Sequence, residues 1–364
     1  MRHMETKPRN IFPALQTFCA VLFAMTGNAQ ILGVDVTLFI IGPACVFMVF
    51  FKGGKFSDQN LPLVAVIIFA TGIFSLRSAS FVELQGYSLW PLKALLTAFF
   101  FSSVPARLDR LQGYIIFVLV LALFVTTEDV LGRSYGFFGP NMLYRFYGLL
   151  LLVSLFLLLV DNKRMVWLVF ALFSLWAIYT TGSAGGVLLV SIGLALFIKP
   201  KFSYVVLGCL AAFLLYLIIP LIGEFQTYNR ILDKLDIDAI QNSIRYIGIS
   251  DILIADIGIF GNNYEFYNHI WTIGYEYPHN VFVELIAFYG FLSIPVIFIL
   301  IWSFLISWRH IWFNKNNIIE LCFICIFVGS TVSGELSDNY GVVGLAIAII
   351  FSHIKMRGMK LRIL

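Results

Sequence analysis

The sequence predicts an all-α, polytopic membrane protein of about twelve transmembrane helices, and three observations lead to this class. First, 60% of the residues are hydrophobic and only 12% are charged, roughly half the charged fraction of a soluble domain. Second, apolar runs of about the length needed to cross a bilayer recur along the chain. Third, the basic residues concentrate in alternate connections between these runs. We therefore treat residues 1–364 as a single integral membrane domain.

The first predicted span, residues 11–25, follows a polar and basic N-terminus. Gly27-Asn28-Ala29 resembles a signal-peptidase site, but we favour a retained first helix over a cleaved leader. The remaining spans are predicted at 31–51, 61–77, 88–104, 113–127, 146–160, 165–180, 185–198, 202–223, 279–307, 318–333 and 341–354.

The orientation of these spans follows from the distribution of Lys and Arg. With the N-terminus in the cytoplasm, the cytoplasmic segments carry 17 of the 24 basic residues, and each has at least two. This asymmetry predicts that both termini are cytoplasmic. The basic residues assigned to the external side or to the membrane itself are Arg77, Lys93, Arg133, Arg145, Arg230, Lys234 and Arg245.

The connection at 224–278 is predicted to be a large external loop, much longer than the others. It contains 3 basic and 8 acidic residues, so any phosphate site in it must depend on particular arginines. Its isoleucines at 237, 240, 244 and 247 are spaced as on one face of an amphipathic helix. Arg245 belongs to a different face of that helix, together with Asp238 and Gln241.

The second half of this loop is rich in aromatic residues, which leaves two interpretations open. They form either an aromatic belt at the membrane boundary or a platform whose ring faces pack on sugars. The residues are Tyr264, Phe266, Tyr267, Trp271, Tyr275 and Tyr277.

The segment Pro278-His279-Asn280 is predicted to begin a long apolar helix. Proline suits the first turn of a helix, because the N–H that it lacks would be unpaired there. Unpaired backbone donors and the helix dipole favour an anion at such a position. The same dipole favours neutral imidazole, which is the form that accepts a proton. The alternative is that His279 and Asn280 serve only as a helix cap.

Several charged residues in apolar surroundings have both a structural and a functional interpretation. Arg77 and Lys93 can extend to the lipid headgroups, and Arg133 can pair with nearby carboxylates. Several arginines facing one cavity would instead suit a diphosphate, because guanidinium makes bidentate contacts. Glu284 is either a functional group or half of a buried pair. The five cysteines all lie in apolar runs, and Cys322-x-x-Cys325 is expected to pack rather than to bind metal.

Short motifs in the chain resemble the signature of the bacterial O-antigen polymerase and ligase superfamily. Pro278-His279-Asn280 is followed by apolar residues and Gly290, and Arg245 is followed by Asp256-Ile257-Gly258-Ile259-Phe260-Gly261. Gly139-Pro140-Asn141 is similar to the turn that precedes a central helix in that family. One departure is Thr181-Gly182-Ser183-Ala184-Gly185, where many members have Ser-Arg-Gly. Arg133, Arg145 or Arg230 would have to supply the missing arginine.

The resemblance implies glycosyl transfer without metal or other cofactor, at the periplasmic face of the inner membrane. Donor and acceptor would be glycans linked to undecaprenyl diphosphate. It assigns catalysis to His279 and Arg245, His279 as general base or acceptor-orienting group. The other expected diphosphate ligands are Arg230, Arg133, Arg145 and Arg77, and the expected supporting residues are Asn280, Glu284, Tyr277, Tyr275 and Trp271.

The polymerase activity of this superfamily is the primary expectation. The ligase activity, which joins finished polymer to lipid A core, is the alternative within the family. A twelve-helix secondary transporter is the alternative from another class, although the chain lacks the related halves that such proteins usually show. Expected partners are membrane lipids, chain-length regulators and flippases, and no nucleic acid.

Overall fold

The structure is a computed structural model. It describes residues 12–27, 30–31, 34–50, 90–104, 108–122, 127–128, 134–135, 140–197, 261, 280–313, 317–332 and 338–361. These residues form an all-α fold, as predicted. The helices are α1 Phe12–Met25, α2 Gly42–Phe50, α3 Trp90–Ser103, α4 Arg110–Ala122, α5 Pro140–Val160, α6 Arg164–Thr180, α7 Ala184–Phe197, α8 Val281–Tyr289, α9 Ile294–Trp312, α10 Ile318–Val332 and α11 Tyr340–Leu361.

Short irregular elements accompany the helices. A π-helical turn, Thr37–Ile41, leads into α2, and a 3-10 turn, Gly290–Ser293, separates α8 from α9. The two antiparallel ladders are only two residues long on each strand. They pair β1 Gln30–Ile31 with β2 Val34–Asp35, and β3 Thr127–Glu128 with β4 Ser134–Tyr135.

Two helical segments of the described chain are long and apolar enough to cross a membrane, Met142–Val160 and Val281–Trp312. Seven shorter apolar helices accompany them. The outward faces of α6 and α9 carry large exposed apolar side chains, an arrangement that suits association with a membrane. They are Met165, Leu168, Val169, Leu172 and Trp176 on α6, and Ile294, Phe298, Ile301, Trp302 and Leu305 on α9.

Helix α5 lies at the centre of the bundle, and most of its side chains are apolar and buried, with Arg145 as its one charged residue. It begins at Pro140, six residues before the predicted span at 146–160, because proline is favoured in the first helical turn. Its second half packs against α4 and α6, where Leu157 and Trp167 close over Gly113. Phe117 of α4 stacks on Phe170 of α6 with ring centroids 3.8 Å apart.

The predicted span at 279–307 lies largely within the membrane-length segment Val281–Trp312, but this segment is not one continuous α-helix. The chain forms the nine-residue α8, turns at Gly290, and starts α9 at Ile294. Gly290 has φ 52° and ψ −133°, a conformation that side chains disfavour and glycine tolerates. The predicted spans at 61–77 and 202–223 and the predicted amphipathic helix of the 224–278 loop lie outside the described residues.

Candidate functional site

Arg145 lies in the second turn of α5 and is completely buried. It packs directly on Gly329 of α10, since a Cβ at Gly329 would lie 2.6 Å from Arg145 Nε and 3.1 Å from its Cδ. A buried guanidinium is costly unless polar groups or an anion compensate it. Arg145 thus belongs to a helix, not to the loop before it, and only glycine at 329 leaves room for its side chain.

Asn280 is the N-cap of α8, which agrees with the alternative interpretation of this segment as a helix cap. Its Oδ1 accepts hydrogen bonds from the backbone N–H groups of Phe282 at 2.9 Å and Val283 at 3.3 Å. The helix begins at Val281, three residues later than the predicted start at Pro278. Two of the four amide groups that a helix start leaves unpaired are therefore occupied by Asn280. This reduces the capacity of the helix start to bind an anion and leaves that role mainly to arginines.

The same asparagine connects α8 to the end of α10. Asn280 Nδ2 donates to the carbonyl oxygen of Thr331 at 3.2 Å. Thr331 is two residues beyond Gly329, on which Arg145 packs. One turn into α8, Glu284 is fully buried, and its backbone N–H donates to the carbonyl of Asn280 at 3.1 Å. The end of α10 thus contacts both the arginine of α5 and the capping residue of α8.

Tyr144 of α5 contacts both α10 and the start of α7. Its hydroxyl donates to the carbonyl of Gly329 at 3.4 Å, and a side chain at Gly185 would overlap that hydroxyl. Gly185 belongs to the 181–185 segment, where the resembled family usually has an arginine. The segment therefore meets α5 beside Arg145, so a guanidinium is present in this neighbourhood from another element.

A second polar cluster lies at the same end of the bundle. Lys93 is 1% exposed, pairs with Asp35 at 2.5 Å, and lies 5.4 Å from the centroid of the Tyr340 ring. The predicted extension of Lys93 to lipid headgroups is wrong, because Lys93 is buried and pairs with the carboxylate of Asp35. Gly27 lies close to the first turn of α5, since a Cβ there would lie 2.7 Å from Met142 Cε.

The cysteines of α10 are buried, in keeping with the predicted packing role. Cys325 Sγ donates to the carbonyl oxygen of Arg145 at 2.9 Å, which is a further contact between α5 and α10. Cys322 and Cys325 are not joined by a disulfide. Within the described residues, no group of three or more His, Cys, Asp or Glu side chains could hold a metal ion.

The opposite end of the bundle carries separate charged groups. Arg110 Nε donates to Asp161 Oδ1 at 2.5 Å, and Trp167 Nε1 donates to Asp161 Oδ2 at 2.7 Å. Burial by itself raises the pKa of Asp161, but these hydrogen bonds and those from backbone N–H groups outweigh it and hold the pKa below its usual value. His310 Nδ1 and Glu320 Oε1 are 2.6 Å apart near the same end.

Three of the predicted site residues, Arg145, Asn280 and Glu284, are described, and α10 brings the first two to one end of the bundle. Tyr144, Gly329 and Thr331 were missed by sequence reasoning, because no motif marks a contact between residues 185 positions apart. The other predicted site residues lie outside the described residues; they are His279, Arg245, Arg230, Arg133, Arg77, Tyr277, Tyr275 and Trp271.

Comparisons of the chain with family models, with curated proteins and with solved structures find no match. The likeness to the O-antigen polymerase and ligase superfamily therefore depends on the short motifs described above.

Proposed function

We propose that this protein is an O-antigen polymerase of the bacterial inner membrane, with about twelve transmembrane helices, both termini in the cytoplasm and the 224–278 loop in the periplasm. It would transfer the growing polysaccharide from undecaprenyl diphosphate to a new lipid-linked repeat unit. The observation that carries the proposal is the buried Arg145, which shares the end of α10 with Asn280, the residue after His279.

The positions of charged residues support the proposed orientation. Arg110, Lys163, Arg164 and Arg309 lie at the helix ends opposite Arg145. An end rich in exposed basic residues is expected to face the cytoplasm. The end that holds Arg145 and Asn280 would then face the periplasm, where lipid-linked repeat units are polymerised.

The proposed reaction is a displacement at the anomeric carbon of the donor glycan. A hydroxyl of the acceptor sugar forms the new C–O bond as the bond from the anomeric carbon to the diphosphate oxygen breaks. The hydroxyl proton passes to the imidazole of His279, as general base. The diphosphate leaves with the bonding electron pair and a further negative charge, which arginines stabilise.

The contacts of α8 and α5 indicate which of the two helices would bind the diphosphate in this reaction. Asn280 occupies two amide groups at the start of α8, so the backbone there has limited capacity for the diphosphate. The planar fork of the Arg145 guanidinium is suited to two phosphate oxygens. We therefore assign it to the leaving group, together with Arg245, the expected catalytic arginine.

The decisive experiment incubates purified full-length protein with its undecaprenyl diphosphate-linked repeat unit and analyses the products by gel and mass spectrometry. A ladder of products that differ by one repeat unit is expected. A strain from which the gene for this protein is deleted provides the second measurement, since its lipid A core should be capped by single repeat units. If the lipid A core of this strain carries no repeat unit, the protein is a ligase. If the purified protein moves a solute and does not extend the glycan, it is a transporter.

A further inference from the structure

The end of α8 is in close backbone contact with Gly261, the last residue of the Asp256–Gly261 segment. Gly261 has φ 81°. A Cβ there would overlap the carbonyl oxygen of Ala287 and would lie 2.8 Å from the carbonyl carbon of Phe288 and 2.9 Å from the backbone nitrogen of Gly290. The obstructing atoms are all backbone, so they cannot rotate away as a flexible side chain would.

A second long-range contact holds the same end of α8. Trp90 Nε1, at the start of α3, donates to the hydroxyl of Tyr289 at 2.9 Å. The two rings meet edge to face with centroids 5.9 Å apart. Gly290 then turns the chain into α9 through a backbone conformation that favours glycine.

Both ends of α8 are therefore attached to other parts of the bundle. The start is held by the bond from Asn280 to Thr331, and the end is held by Gly261 and Trp90. A nine-residue helix is only about 13 Å long. Any displacement of its last turn is therefore transmitted to Asn280 and Glu284.

We infer that Gly261, Gly290 and the Trp90–Tyr289 pair form an anchor that positions α8, and with it Asn280 and Glu284, for the reaction. These four residues are positioning residues, since they act through α8 and do not touch the substrate. The inference rests on the proposed function for its catalytic consequence and on the contacts above for its structural one.

The primary test is Gly261→Ala in the full-length protein, with Gly193→Ala as the matched control. A Cβ at Gly193 would lie 3.0 Å from Leu152 Cδ2, the far end of a flexible side chain, and would be accommodated. Gly261→Ala is expected to accelerate backbone hydrogen exchange in 281–289. It should also lower kcat for polymer formation on the order of tenfold or more, with KM for the repeat unit nearly unchanged. Gly193→Ala should change neither quantity.

Unchanged exchange in 281–289 together with unchanged kcat in Gly261→Ala would overturn the anchor. Faster exchange in this variant, with a wild-type protein that forms no polymer, would retain the anchor and reject the polymerase. If Gly261→Ala does not reach the membrane, Tyr289→Phe replaces it, because this change removes one hydroxyl. Faster exchange in 281–289 with a several-fold lower kcat then supports the anchor, and wild-type behaviour overturns it.

Discussion

The guanidinium arm of Arg145 lies directly over the α-carbon of Gly329, where a Cβ would come within 2.6 Å of Nε. Neither residue is exposed, since Arg145 of α5 is fully buried and Gly329 of α10 is also buried. The pair shows how a charged side chain is accommodated in an apolar bundle. Because Gly329 of α10 has no side chain, the side chain of Arg145 can occupy that volume.

The first prediction concerns the charge and shape of Arg145. Arg145→Lys keeps the positive charge but replaces a planar fork with a single ammonium. We expect kcat for polymer formation to fall on the order of 100-fold, the effect of losing one donor to a developing negative charge. Arg164→Lys, on an exposed residue at the opposite end of the bundle, is the matched control. Wild-type kcat in Arg145→Lys would exclude a role in catalysis.

The second prediction concerns Gly329. Gly329→Ala places a methyl group against Nε and Cδ of Arg145, so the guanidinium must move. We expect a lower kcat in this variant and, in the double variant with Arg145→Lys, a combined effect smaller than the sum in free energy. The four rates of the double-mutant cycle measure this coupling. Additive effects would show that Gly329 acts independently of Arg145.

The third prediction concerns the N-cap of α8. Asn280→Ala removes the acceptor for the Phe282 and Val283 amides and the donor to Thr331, and should cost about 1 kcal/mol from the cap alone. Asn280→Ser keeps a capping oxygen but loses the amide donor, so its stability should lie between those of alanine and wild type. Thermal unfolding in detergent provides the comparison. Equal stability of all three proteins would mean that the cap is energetically neutral.

The fourth prediction concerns pH and Asp161. Its pKa is lower in the folded protein than the ordinary value of 3.8, so the ionised form stabilises the fold. This stabilisation is complete above the ordinary pKa and is lost as pH falls through the folded one. Asp161→Asn should therefore lower Tm at neutral pH, at a cost of about 2 kcal/mol.

The difference in Tm between wild type and Asp161→Asn should decrease as the pH of the buffer is lowered below about 4. Trp167→Phe, which removes one of the hydrogen bonds to Asp161, should give a smaller difference with the same trend. A Tm difference that stays constant from neutral to acid pH would show that ionisation of Asp161 does not stabilise the fold.

Local features of the sequence were sufficient for several of these elements. A helix start at Pro278-His279-Asn280 was predicted because proline suits the first helical turn, and the interpretation of Asn280 as a cap was left open as an alternative. The buried cysteines follow from their apolar runs, whereas the span predicted at 146–160 missed the start of α5 at Pro140. The break at Gly290 was missed, since a glycine inside an apolar run is also compatible with a continuous helix at a cost of about 1 kcal/mol.

By itself the sequence determined the all-α class and the apolar segments, because these depend on interactions between residues a few positions apart. Only the tertiary structure decided that Lys93 pairs with Asp35, that Gly329 accommodates Arg145 and that Gly261 packs on the end of α8. Each of these contacts joins segments that are distant in the sequence, and no local pattern specifies which glycine or carboxylate will be the partner. The physical reason is that close packing selects partners by shape and volume across the bundle.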